Sequence, residues 1–450
     1  MAKDYRIDMT EGSIFGKLFM FSIPVMFSGI LQLLFNTADT IVVGRFAGED
    51  SLAAVGSTGS VVGMFVCLFV GLSAGTNVLA AHGMGAKNNK LISDTLHTSV
   101  LFSVFAGFVM AAIGFFTVEP VLRLVGTPQN VIDKASWYLK IYFMGMPFAM
   151  VYNYASSVLR AMGDTRRPMV YSIISGIVNL ILNLIFVINF NMDVKGVAIA
   201  TVIANIVGAV LVVRAVMNLD DEYKLCFGKL KINKEILIKM MKIGIPASLG
   251  GVIINLSHTV IQSAVNSFGS ESMAGNAAAA NLENFLYLAV SSFSQGALNF
   301  TAQNYAAGKF DRIKKTVILS LTSSVILTVS LTVILTVFSK NVLMLYSESP
   351  EVISKGMIRV IYTFPFYFIY GFADIFAASI RGLGKSFPPS VTSIMTTCLF
   401  RIIWVFWIFP LNPTIEFLYI CLPVSWLLEA LGQSIYFMIV YRKEKKLLCK

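Results

Sequence analysis

The feature that most narrows what this chain can fold into is that it is written twice. Gly85, Ala86 and Lys87 return about 222 positions later as Ala307, Gly308 and Lys309, while Asn77 returns as Asn299 and Pro24 as Pro246. The run from Leu159 through Arg160, Met162, Gly163 and Asp164 returns as Ile380, Arg381, Leu383, Gly384 and Lys385, and Pro168 returns as Pro389. Each copy holds several long apolar segments. Secondary transporters are commonly built from such repeats, with the working site where the copies meet. Transport is therefore the first functional expectation.

Of the 450 residues, 56% are apolar and only 13% are charged, too few charges to clothe a soluble protein of this length. Apolar runs at 61–72, 100–116, 317–338 and 402–409 require lipid or a neighbouring helix. Crossing a bilayer takes about 20 residues in helical form. The pattern predicts twelve spans, near 15–44, 52–83, 92–117, 132–159, 168–190, 196–217, 238–267, 273–304, 316–338, 353–379, 388–410 and 416–441. The expected fold class is all-α integral membrane. Its expected domains are an N-terminal six-helix bundle over 1–217, a polar cytoplasmic linker over 218–236 and a C-terminal six-helix bundle over 237–450. Six is even, so both copies enter the membrane in the same sense, related by a pseudo-two-fold axis along its normal.

A net charge of +11 is compatible with a nucleic-acid partner until the charges are placed. With the amino terminus in the cytoplasm, 26 of the 35 basic residues, from Lys3 to Lys450, fall on the inner side. Eight, among them Lys134, Lys140 and Arg359, fall outside, and Arg401 falls within a span. This is the positive-inside bias, and it predicts a multi-pass protein with both termini cytoplasmic. The charge reads as a topology signal, with the bilayer as partner and no nucleic acid. Cys67, Cys226, Cys398, Cys421 and Cys449 show no ligand spacing, so neither a disulfide framework nor a metal site is expected. No cleavable signal segment is read, because the first apolar run is too long for one.

The chain contains no phosphate-binding P-loop, no zinc-protease helix and no plausible catalytic triad, so neither an ATP-driven pump nor an enzyme is expected. Energy must then come from an ion gradient, a partner or the substrate's own gradient, and ionisable residues inside spans are where to look, since each is costly unless paired or solvated. Away from the span ends these are Asp39, Glu283, Asp374, Arg401 and Glu429. Asp39 lies six residues before Arg45, about 9 Å along the helix. Burying a carboxylate favours its protonated form, so Asp39 is the candidate coupling acid. Its structural alternative is a pairing with a nearby arginine or a cap within the loop. Asn153, Asn179 and Asn183 are its candidate polar partners, the last two sharing one helical face. Asparagines also serve simply as interhelical glue.

In the second copy Asp374 is the repeat-mate of Asn153, whereas the mate of Asp39 is Ile261. Glu283, Asp374 and Arg401 are candidate substrate-binding residues. Their structural alternative is an Asp374–Arg401 or a Glu283–Arg401 ion pair. Glu429 has no assigned role, and His258, the mate of Asn36, reads as a hydrogen-bonded packing residue or a proton relay. Pro24 removes a backbone hydrogen bond early in the first helix and reads either as a static kink or as a bend that changes during transport.

Asn36, Thr37, Ala38, Asp39, Thr40 and the Ile41 to Gly44 run, together with the Leu159 to Pro168 segment and the paired Lys87 and Lys309 turns, resemble the multidrug and toxic compound extrusion (MATE) family. The resemblance covers all twelve spans. It implies two six-helix bundles in a V-shaped arrangement, a monomer in a prokaryotic cytoplasmic membrane, and no cofactor. It also implies antiport, by alternating access, of cationic or amphipathic small molecules against protons or sodium. By the same resemblance Asp39 takes the coupling ion, Asn153 and Asn179 surround it, and Asn183 stands where some members carry a second Asp. A single carboxylate suits a proton, although amide oxygens are able to help hold sodium. Glu283 matches an acid of the eighth helix, and Asp374 lies about one turn from another. The alternative function is a lipid-linked oligosaccharide flippase of the same superfamily, which would be expected to line its cavity with several cations. A membrane-embedded lipid transferase would need acids or histidines clustered at one membrane face.

Overall fold

The computed structural model describes residues 5–124, 126–220 and 222–448. Lys3, Cys449 and Lys450 lie outside the described residues. No strand forms among those described, as expected where backbone groups must be satisfied within each segment. The first copy runs α1 (Ile14–Phe46), α2 (Glu49–Gly85), α3 (Asn89–Leu124), α4 (Ile132–Met144), α5 (Met146–Ala161), α6 (Arg166–Leu184) and α7 (Asp193–Met217). The second runs α8 (Lys234–Asn266), α9 (Ser270–Ala306), α10 (Phe310–Leu343), α11 (Pro350–Thr363), α12 (Tyr367–Gly382), α13 (Phe387–Ser393), α14 (Phe400–Ile403) and α15 (Ile415–Leu448). Turns of π-helix extend α6 over Ile185–Asn189 and flank α14 over Ile394–Leu399 and Trp404–Ile408.

Ten of the described helical stretches are long and apolar enough to cross a membrane. The remaining two expected spans fall on α4 and α5, which are separate helices meeting at Gly145, and on α9, rich in Ala, Ser and Asn. The outward faces carry large apolar side chains. Phe105, Phe108 and Phe116 on α3 are each more than 60% exposed, a pattern that suits lipid and not water.

Packing divides the chain into two compact units whose limits do not follow the repeat limits. The first holds the segment ending at Asp8 and Phe27–Gly244; the second holds Met9–Met26 and the chain from Ile245 onward. Within the first unit, the opening turns of α8 lie tightly on α2. A Cβ added to Gly75 would come 2.1 Å from the Met240 carbonyl oxygen, and one on Gly244 would come 2.6 Å from that of Leu72. Only glycine permits so close an approach of two backbones. Within the second unit the opening turns of α1 lie on α9 in the same manner. A Cβ on Gly296 would come 2.6 Å from Leu18, and Phe19 and Phe21 set their rings against Phe293 and Phe300. Ahead of that helix, Arg312 donates to the carbonyls of Met9, Glu11 and Gly12, and Asn304 donates to Met9.

The polar 218–236 segment folds back on the first unit. Leu225 N–H donates to Val216 O at 3.0 Å, Cys226 N–H donates to His97 Nε2 at 3.1 Å, and Asn233 N–H donates to Thr98 Oγ1 at 3.1 Å. The repeated Arg-x-x-Gly turn also acquires a physical reason. Gly163 and Gly384 have φ of 86° and 78°, which favours glycine. Asp164 accepts from the Arg167 backbone N–H at 3.1 Å and pairs with its guanidinium at 2.8 Å, fixing the start of α6.

The glycine contacts yield a direct test. Gly75→Ala should lower thermal stability of the purified protein by about 1–3 kcal/mol through overpacking. Gly56→Ala, where an added Cβ meets nothing within 4 Å, should be neutral or slightly stabilising through helix propensity. Equal melting temperatures for the two variants would contradict the tight α2–α8 packing.

Candidate functional site

In the first unit, α1 and α6 bring Asp39, Asn179 and Asn183 together. Asn183 Nδ2 donates to Asp39 Oδ1. Asn179 and Asn183 are four apart on α6, so their amides stack along one face, immediately before the π-turn at Ile185–Asn189. Turned so that both its ends are satisfied, the Asn179 amide donates to Asp39 Oδ1 at 2.9 Å and Oδ2 at 3.0 Å. Its oxygen then accepts from Thr201 N–H at 3.2 Å and Thr201 Oγ1 at 3.3 Å, which ties the site to α7. Asn183 Oδ1 is buried with no hydrogen-bond partner. A turn beyond Asp39, Val42 and Val43 pack with Val187 and Val197 and seal this end of the site with apolar side chains.

Asn153 does not join this cluster by hydrogen bond. Its amide donates to Ala149 O at 2.8 Å, one turn back along α5. Thr37 and Thr40 likewise bond to Leu33 O and Asn36 O of their own helix. Thr201 is the site residue that sequence reading missed. A lone threonine in an apolar helix carries no signal of its own.

In the second unit neither ion pair offered as the structural alternative, Asp374–Arg401 or Glu283–Arg401, forms among the described residues. Glu283 on α9 is bound by Arg359, whose Nη2 and Nε donate to Glu283 Oε2 at 2.7 and 3.2 Å. Arg359 Nη1 also donates to Asn276 Oδ1 at 2.5 Å, and Tyr419 O–H reaches the same oxygen at 2.9 Å. Arg359, which the sequence counts among the basic residues on the outer side of the membrane, is 8% exposed, because α11 is amphipathic and Ile353, Gly356, Val360 and Thr363 turn the same face inward.

Arg401 is 1% exposed, and the partners of its guanidinium are hydroxyls. Nη1 donates to Ser257 Oγ at 3.1 Å, and Nε and Nη2 donate to Ser425 Oγ at 3.2 Å. Among the described residues no carboxylate lies within ion-pair distance of it. Asp374 is half-buried on α12 and likewise has no ion-pair partner among the described residues. Ser294 Oγ donates to its backbone carbonyl at 3.3 Å. Glu429, left without a role by the sequence, accepts from Ser393 Oγ and from Thr397 Oγ1. His258 is exposed on α8, contrary to the reading of a packed, hydrogen-bonded side chain. Among the described residues no group of three or more His, Cys, Asp or Glu could hold a metal ion.

The buried pair in the second unit predicts a stability pattern. Arg359→Met should destabilise the protein by about 3–5 kcal/mol, since it strands the Glu283 charge. The double variant Glu283→Leu/Arg359→Met should recover most of that loss. Chemical denaturation in detergent measures both, and a double variant no better than the single would dissolve the pairing.

Comparison with known proteins places this geometry. A protein-family model described as MatE matches residues 24–185 and again 246–407. The Bacillus subtilis "Probable multidrug resistance protein YoeA" is 27% identical over 394 residues, covering 86% of this chain and 85% of that protein. The Staphylococcus aureus "Multidrug export protein MepA" is 25% identical over 331 residues, 71% of each chain. Among solved structures, one described as the outward-facing conformation of a multidrug resistance MATE family transporter of the MOP superfamily aligns with a TM-score of 0.90 at 19% identity, covering 99% of this chain and 100% of that one. A MATE crystal structure in a bent conformation aligns at 0.89 and 19% identity, covering 98% of both chains.

Proposed function

Since the chain belongs to the MatE family of membrane transporters, we propose that it exports cationic or amphipathic small molecules across the cytoplasmic membrane in exchange for protons. Both termini face the cytoplasm in this reading, as the basic residues require, and one chain works alone. Support for small-molecule export comes from relatives described as multidrug resistance and multidrug export proteins.

The observation that carries the coupling role is the Asp39 cluster. Two amides offer N–H groups to one carboxylate where α1 and α6 meet. A proton arriving at Asp39 turns an acceptor into a donor, and a half-turn of the Asn183 amide would bring its oxygen, which has no partner, round to receive it. Sodium would ask for several oxygens at once, yet the oxygen of Asn179 is engaged with Thr201. The cluster therefore favours the proton.

Protonation drives export only if proton and substrate prefer different conformations of an alternating-access cycle. Pro24 is the proposed bending point. It removes one helical hydrogen bond two residues before α1 passes, at Met26 and Phe27, from one packing unit to the other. Among the acids expected to meet a cationic substrate, Glu283 is committed to Arg359. Asp374 is left to do so, while Arg401 and its serines hold the surrounding helices.

Substrate efflux from proteoliposomes tests the reading. Wild type should respond to an imposed proton gradient and not to a sodium gradient, and Asp39→Asn should respond to neither. A sodium response would reassign the ion, and gradient-driven export by Asp39→Asn would remove Asp39 from the mechanism. Absence of efflux of any cationic dye would favour the flippase function. With a monovalent cationic dye, Asp374→Asn should raise the half-saturating concentration about tenfold, the equivalent of roughly 1.4 kcal/mol, and an unchanged value would exclude Asp374 from the substrate path.

A further inference from the structure

The second unit contains a buried polar seam that the proposed cycle does not use. Ser393, Thr397 and Arg401 follow one another at four-residue spacing along the α13–α14 segment. Ser425, Glu429 and Gln433 do the same along α15. The two rows meet antiparallel. Arg401 donates to Ser425, Thr397 Oγ1 donates to Glu429 Oε2 at 2.9 Å, Ser393 donates to Glu429 Oε1, and Gln433 Nε2 donates to Ser393 Oγ at 3.3 Å and to Pro389 O at 2.9 Å. Glu429 is 6% exposed and has no cation within ion-pair distance among the described residues.

We propose that Glu429 is a second proton-binding site of this protein, held by Ser393 and Thr397, and separate from Asp39. The argument rests on which partners tolerate both protonation states. Ser393 Oγ has two acceptors in reach, Glu429 Oε1 and Pro389 O at 3.0 Å, and one hydrogen to give. With Glu429 ionised, that hydrogen goes to the carboxylate, and Pro389 O keeps its bond from Gln433. With Glu429 protonated, the new carboxyl O–H donates to Ser393 Oγ, and the serine hydrogen swings to Pro389 O. Thr397 donates in both states. No polar atom of this set loses its partner when the proton comes or goes, because a hydroxyl both donates and accepts.

Glu283 shows the contrast. Its partner is a guanidinium, which has donors and no acceptor, so a protonated Glu283 would face N–H groups with an O–H. Two further features accompany the seam. Thr397 lies in the π-turn Ile394–Leu399, and single π-turns inside helices recur at functional sites. Gln433 Oε1, fully buried on the next turn of α15, is an acceptor with no partner. The charged and titratable groups facing Glu429 are Arg401 from α14 and Asp374 and Tyr370 from α12, while on α11 Arg359 is engaged with Glu283.

The site stands or falls independently of the antiport reading, and the test keeps the two apart. Infrared difference spectra of the full-length protein in lipid films, taken as pH is lowered, report the protonated-carboxyl stretch directly. Wild type should show at least two components. Asp39→Asn should delete one and Glu429→Gln a different one. Ser393→Ala should retain the Glu429 component but move it to higher frequency, because the carboxyl group loses its hydroxyl partner. Spectra of Glu429→Gln superimposable on wild type would overturn the proposal. Should Glu429→Gln fail to fold, Ser393→Ala decides, and an unmoved band counts against the site.

Discussion

Hydrocarbon offers no hydrogen bonds, so each polar group placed inside a span must find its partner in the protein. That constraint arranges everything of functional interest here. Asp39 collects the amides of Asn179 and Asn183. Glu283 collects Arg359, which in turn engages Asn276. Arg401 and Glu429 make do with hydroxyls. The type of partner separates the sites: Glu283 faces a guanidinium, which only donates, whereas Glu429 faces hydroxyls, which both donate and accept.

The repeat supplied the architecture, and divergence supplied the chemistry. Asp39 and Asn183 meet in the first unit, while their repeat positions hold Ile261 and Trp404, both buried in an apolar cluster of the second. The second unit instead concentrates its charges on α9, α11, α12 and the α14–α15 seam. Two copies of one scaffold thus carry different polar interiors.

Much of this was legible in the sequence, for reasons that differ by residue. Spans and copies follow from hydropathy and repetition, which act over tens of residues. The grouping of Asp39 with Asn179 and Asn183 was readable because the two asparagines share a face and an acid in a span is rare. Asn153 was misjudged as a hydrogen-bonding partner because a short amide four residues past a carbonyl can return to its own helix. The Glu283–Arg359 pair was not legible because the two residues are 76 positions apart, on helices whose facing the sequence does not give. The hydroxyls around Glu429 and Arg401 were hidden for another reason. Serine and threonine are ordinary in membrane helices, and only the pairing of two rows in opposite directions gives them meaning.

The division of α1 and α8 between the packing units bears on how the chain can be cut. Each packing unit borrows the opening turns of a helix that belongs, by sequence, to the other repeat. Deprived of them, the face of α9 around Gly296 and that of α2 around Gly75 would stand uncovered. Neither half of the sequence is therefore a self-sufficient fold, since each covers its glycine-lined face with helix turns that the other half supplies.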